Sequence, residues 1–117
     1  MSNQSTKLSI RIDLANGSRF GPGKVELLQR IRETGSIAAA ARLLGMSYPR
    51  ALRLVAELNS QFDDILVTKF HGGAAKGAAN LTELGHKVLK LISDIEASTA
   101  AATKNSLQQL EKITRAN

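Results

Sequence analysis

The run Ile37-Ala-Ala-Ala-Ala-Arg-Leu-Leu-Gly-Met-Ser-Tyr-Pro-Arg-Ala-Leu-Arg-Leu54 decides how this chain is read. Ile37, Ala40, Ala41 and Leu44 fall at i, i+3, i+4 and i+7, as do Ala51, Leu54, Val55 and Leu58, so each set forms one apolar helical face. Ser36 and Ser47 stand where the two helices need N-caps, and Gly45 ends the first. Pro49 is tolerated because the first-turn N–H groups have no intrahelical acceptor. Two short helices crossing steeply need a small residue at their contact, here Ala41, and a residue that turns sharply, here Gly45. Ala40, Leu44, Met46, Ala51 and Leu54 take the buried places, and the whole reads as a helix-turn-helix. In such a unit the second helix enters the major groove of double-stranded DNA with its N-terminal residues toward the bases. Ser47, Tyr48, Pro49, Arg50 and Arg53 are therefore the candidate DNA contacts. Arg50 and Arg53 lie one turn apart beside the buried stripe, where each can pair with guanine or with a phosphate. Ser47 serves as cap, as DNA contact, or as both.

Outward from this run, Lys7 to Leu14 alternates apolar and polar residues, as a half-buried strand does, until Asn16-Gly17-Ser18 and Gly21-Pro22-Gly23 break it. Helical spacing starts at Lys24, with Leu27, Leu28 and Ile31, and Gly35 follows as its stop. After Asn59, Ile65 to Phe70 reads as a strand that returns at Asn80-Leu81, with a tip rich in Gly and Ala between them. This hairpin reads as a wing: Lys69, His71 and Lys76 reach toward backbone phosphates, or the tip is a plain loop. Thr82 caps a long helix with the stripe Leu84, Val88, Leu91, Ile92 and Ile95, weakening over 97–103 and resuming near Leu107 and Leu110. That stripe exceeds what a small core covers, so the helix is expected to pair with a second copy in a homodimer, or else to fold back on its own domain. The expected division is 1–19 (N-terminal strand and turn), 20–82 (winged helix-turn-helix) and 83–117 (dimerisation helix). The fold class is mainly α with a small β wing.

Composition narrows the function. The chain has 117 residues, 16 Lys and Arg, 10 Asp and Glu, a formal charge of +6 and no Cys. This length excludes folds that need some 250 residues, and the absence of Cys excludes disulfide frameworks and thiolate metal sites and fits a reducing cytoplasm. No apolar run approaches the roughly 18 residues of a membrane span. Most of the positive excess lies within residues 7–60, with nine basic against four acidic side chains, which suits a polyanionic partner or a solvated surface. The phosphate-cradle spacing G-x-x-x-x-G-K-[ST] is not met at Gly23-Lys24 or at Gly72 to Gly77. With His71 and His86 as the only histidines, no catalytic set, metal site or cofactor is expected.

Phe20 to Leu84 resembles the N-terminal DNA-binding domain of the ModE-type molybdate-responsive transcription regulators, which are related to LysR-type regulators. The likeness lies in Val25-Glu-Leu-Leu, Glu33-Thr-Gly-Ser-Ile37, Gly45-Met-Ser-Tyr48, Glu57-Leu-Asn59, Ile65-Leu-Val67, Gly72-Gly73 with Lys76-Gly77, and Leu81-Thr-Glu-Leu-Gly85. It implies a winged helix, a dimer through the long helix, and control of genes concerned with molybdenum, with Ser47, Tyr48 and Arg50 on the DNA-facing end. The family's molybdate-binding module of small β-barrels has no counterpart in these residues, so direct molybdate binding is not expected of this chain. General DNA compaction and a protein-interaction module are the competing expectations.

Overall fold

The computed structural model describes residues 6–70 and 78–115. Within them run β1 (Ile12–Asp13), β2 (Arg19–Phe20), α1 (Pro22–Thr34), α2 (Ile37–Leu43), α3 (Tyr48–Gln61), β3 (Val67–Lys69), β4 (Ala79–Leu81) and α4 (Glu83–Ile113). The alternating segment expected over 7–14 is a ladder strand only at β1, because only Ile12 and Asp13 find partners, Phe20 and Arg19. The turn between them is closed by Leu14 N–H donating to Ser18 O at 2.8 Å and by Asn16 Oδ1 accepting from Ser18 N at 2.9 Å. Upstream, Thr6 N donates to Glu111 Oε1 at 3.2 Å, so the N-terminal segment reaches the far half of α4.

Helix α1 begins at Pro22 rather than Lys24. Gly21 takes the extended N-cap conformation and Pro22 supplies a first-turn position whose missing N–H costs nothing. Gly35 ends the helix at φ 68°. Helix α2 closes with Met46 N–H donating to Ala41 O at 3.0 Å and Gly45 N–H to Arg42 O at 3.2 Å, with Gly45 at φ 65°. This doubly bonded turn satisfies the last carbonyls and redirects the chain within four residues. Ala41 and Ala51 are buried as expected, whereas Leu44, Met46 and Leu54 are only half-buried at the edge of the core. The fully buried centre is Leu27, Leu28 and Ile31 of α1, Ile37 of α2, Val55 and Leu58 of α3, and Leu66 and Leu89 beyond them. Phe20 joins this centre and meets Phe62 edge-to-face at 6.0 Å.

The wing hairpin pairs Val67 with Leu81 and Lys69 with Ala79. It is tied to the start of α2 through Ser36 opposite Ala78 and through Ala79 N–H donating to Gly35 O at 3.0 Å. Regular strand is limited to Val67–Lys69, and Asn59, on α3, binds the backbone where it starts. Asn59 Oδ1 accepts from Leu66 N and Val67 N at 2.8 and 3.0 Å, and Nδ2 donates to Val67 O at 3.0 Å. Thr82, the cap of α4, accepts from Gly85 N at 3.0 Å and donates its hydroxyl to Ile65 O at 2.8 Å. The weakening expected over 97–103 does not interrupt α4. Alanine is the best helix former, and the Thr99 and Thr103 hydroxyls donate to Ile95 O and Thr99 O at 2.6 and 2.8 Å, within the helix.

Two substitutions test this framework. A Cβ at Gly85 collides with the Leu66 carbonyl oxygen, so Gly85→Ala is expected to lower stability by about 1–3 kcal/mol in denaturant melts through overpacking. Asn59→Ala strands two backbone donors and one acceptor and is expected to cost about 1–3 kcal/mol in the same assay. Wild-type stability in either variant contradicts these contacts.

Candidate nucleic-acid interface

Helix α3 presents two faces because its sequence alternates between them. Ala51, Val55 and Leu58 turn inward; Pro49, Arg50 and Arg53 turn to solvent. Ser47 Oγ accepts from Arg50 N at 3.3 Å, which satisfies one orphan donor and leaves the hydroxyl proton free to donate outward. Both roles considered for Ser47 are therefore chemically compatible. No acidic side chain of α3 stands in its first turn to offset the helix's positive end.

The expected contact residues separate by environment. Ser47, Pro49, Arg50 and Arg53 are exposed around the first two turns of α3. Tyr48 is half-buried and packs against the core, so less of its ring is available than the sequence suggests. Lys69 is exposed at the end of β3, opposite Ala79. His71 and Lys76 lie outside the described residues.

Five cations are ion-paired within the protein, while Lys7, Arg32, Lys87, Lys104, Lys112 and Arg115 share with the expected contact residues the lack of an ion pair among the described residues. Arg11 and Arg19 pair with Asp13, Lys24 with Glu57, Arg30 with Glu33, and Lys90 with Asp94. Among the described residues, Arg50, Arg53 and Lys69 have no carboxylate within ion-pair distance, and neither does Arg42 in the last turn of α2. Cations without protein partners remain available to phosphates, whose neutralisation releases condensed counterions. Arg42 escaped the sequence reading because it lies outside the second helix of the motif. Its position one residue from the apolar set of α2 is the signal that marks it as outward-facing.

The stripe expected on α4 divides in two. Val88 is 7% exposed and belongs to the chain's own core, beside Leu89, which the stripe omitted. Leu84 and Ile92 pack partly against that core. Leu91 and Ile95 remain 51% and 42% exposed. They border an apolar groove of about 190 Å³ shared with Ile12, Leu14, Phe20 and Phe62. Farther along, Leu110 and Ile113 are 54% and 81% exposed. No helix among the described residues is long and apolar enough to cross a membrane.

Comparison with known proteins places this geometry in a family. Residues 23–86 match the model of the bacterial regulatory helix-turn-helix protein, lysR family. The chain is 43% identical over 84 residues to the molybdenum-pterin-binding protein MopB of Rhodobacter capsulatus, covering 72% of this chain and 31% of that protein. It is 37% identical over 70 residues to the transcriptional regulator ModE of Yersinia pestis, covering 60% and 27%. It is 36% identical over 70 residues to the DNA-binding transcriptional dual regulator ModE of Escherichia coli K12, with the same coverage. The chain thus spans about a third or less of the length of these relatives. A chain of the CbnR_DBD–DNA complex superimposes with a TM-score of 0.61 at 23% identity, over 75% of this chain and 95% of that one, and shares its fold. With the matched segment running from the first turn of α1 to the first turn of α4, across the whole winged helix-turn-helix, this chain belongs to the lysR family of bacterial regulatory helix-turn-helix proteins.

Proposed function

We propose that this chain is a sequence-specific DNA-binding transcriptional regulator linked to molybdenum metabolism, acting in the cytoplasm without a catalytic step. The observation that carries this reading is the pair Arg50 and Arg53: exposed, without a carboxylate partner among the described residues, and held on the outer face of a capped helix in a helix-turn-helix. In this reading α3 lies in the major groove. Arg50 and Arg53 donate paired hydrogen bonds to guanine O6 and N7, and Ser47, Tyr48 and Pro49 contact backbone or base at the helix end. Lys69, with His71 and Lys76, places the wing on phosphates, and Arg42 adds a further backbone contact. The molybdenum link is supported by what the relatives are called, MopB and ModE.

The same reading takes the chain as a homodimer, divided into 1–19, 20–82 and 83–117. Leu91 and Ile95, flanked by Leu84 and Ile92 and by the apolar groove beside the N-terminal hairpin, supply the contact, while Val88 supports it from the core. Burying such a surface in a second copy removes apolar area from water at about 25 cal/mol per Å². A two-fold dimer reads two half-sites about one duplex turn, roughly 34–36 Å, or a multiple of it apart.

Selection of bound fragments from a random DNA pool at about 0.15 M salt, where nonspecific affinity is only about 10⁻⁴–10⁻⁶ M, is expected to enrich a palindrome. Arg50→Ala and Arg53→Ala are expected to relax preference at particular base pairs, each by about 1–3 kcal/mol. Lys69→Ala is expected instead to weaken all sequences alike and to lower the salt slope by about one. A pool with no enriched motif refutes sequence-specific regulation in favour of compaction or protein association. For the dimer, Leu91→Asp with Ile95→Asp is expected to yield folded monomer in sedimentation equilibrium, and an unchanged dimer overturns this interface.

A further inference from the structure

Lys24 is an unusual lysine. Its side chain is only 12% exposed, although lysine is among the residues least often buried. Its ammonium donates to Arg19 O at 2.8 Å, at the end of the N-terminal hairpin, and lies 3.4 Å from Glu57 Oε2 on α3. One amine thus joins β2, α1 and the helix that carries the DNA-facing arginines. Glu57 is the only acidic residue of α3, and it stands four positions after Arg53. Residues at i and i+4 are neighbours on a helix surface, and opposite charges there attract. With its side chain 48% exposed, Glu57 has room to turn toward Arg53, yet it is held on the Lys24 side, and Arg53 has no ion pair among the described residues.

We infer that Lys24 is a positioning residue for DNA recognition: by holding Glu57 it keeps Arg53 free to contact DNA and keeps an unpaired carboxylate off the phosphate-facing side of α3. The inference rests on the reading that Arg53 faces DNA. Without the Lys24 charge, Glu57 gains its best remaining cation in Arg53, and each conformation that pairs them removes Arg53 from the bases. The uncompensated carboxylate also repels the phosphate backbone. Both effects require Glu57, so both disappear when Glu57 loses its charge. A merely structural lysine behaves differently: its loss lowers the melting temperature and weakens binding to specific and scrambled duplexes alike.

The test is a double-mutant cycle read as DNA affinity, on the palindrome enriched by selection and on a scrambled duplex of equal length. Lys24→Met is expected to weaken binding about three- to tenfold, more on the palindrome than on the scrambled duplex. Lys24→Gln, which retains a donor for the Arg19 carbonyl, is expected to do the same and guards against a folding defect in the first variant. Glu57→Gln added to either is expected to restore affinity to within about twofold of wild type, and Lys24→Arg to bind as wild type does. Melting curves on every variant report stability separately. Failure of Glu57→Gln to restore binding, with Arg53→Ala still weakening it, overturns the inference and leaves the DNA reading intact. A silent Arg53→Ala overturns the role of Arg53 in DNA contact, and the inference with it.

Discussion

The peptide unit at Leu66 is the junction on which this molecule depends. Its N–H is bound by Asn59 at the end of α3, and its carbonyl accepts from the backbone N–H of Thr82 at 2.9 Å as the chain turns into α4. The side chain is fully buried, and the backbone of Gly85 passes so close that no Cβ fits. Buried peptide groups left without partners cost free energy comparable to a lost hydrogen bond, so these contacts hold α3, the wing and α4 in one fixed relation. Thr82 completes the junction by capping α4 while its hydroxyl donates to Ile65 O. The proposed placement of α3 in the groove and of the hairpin on phosphates requires such a fixed relation, since groove and backbone have fixed spacing.

Some cations of the scaffold are paired locally: Arg11 and Arg19 share Asp13, Arg30 meets Glu33 and Lys90 meets Asp94. These pairs are exposed and contribute little to stability individually. Arg42, Arg50, Arg53 and Lys69 stand without such a pair among the described residues, as do Arg32 on α1 and Lys87, Lys104 and Lys112 on α4. The pairing of Lys24 with Glu57 joins the scaffold to α3 and cancels the one acidic charge on it. Helix α3 thus carries both the exposed Arg50 and Arg53 and a carboxylate held by Lys24 of α1.

The apolar surface is unevenly used. Inside the winged unit the core closes around Leu28, Ile31, Val55, Leu58 and Leu89, with Phe20 and Phe62 stacked edge-to-face at its margin. Beyond it, α4 continues for several turns carrying Leu91, Ile95, Leu110 and Ile113 in the open. Apolar side chains recurring on one helix are costly to leave in water, and the adjoining groove under the N-terminal hairpin adds to the same face.

Periodicity and turn chemistry are local properties, and they alone determined the helix-turn-helix, its caps at Ser36 and Ser47, the glycine turn, the wing and the long helix. The outward placement of Arg50 and Arg53 followed from the same spacing, because a helix displays its faces at 3.6 residues per turn wherever it sits. Contacts between residues far apart in sequence were not legible. The alternating segment over 7–14 forms a ladder only where Arg19 and Phe20 meet it, since a strand needs a partner that alternation does not name. Spacing alone does not name Leu66 and Val67 as the partners of Asn59, nor show that the Leu66 carbonyl occupies the Cβ position of Gly85. Lys24 reads as a solvated charge until Glu57 and Arg19 arrive at its ammonium. The division of the α4 stripe, with Val88 inward and Leu91 outward, was likewise decided by tertiary packing. A helical stripe specifies which residues share a face, whereas the neighbouring elements decide how much of that face they cover.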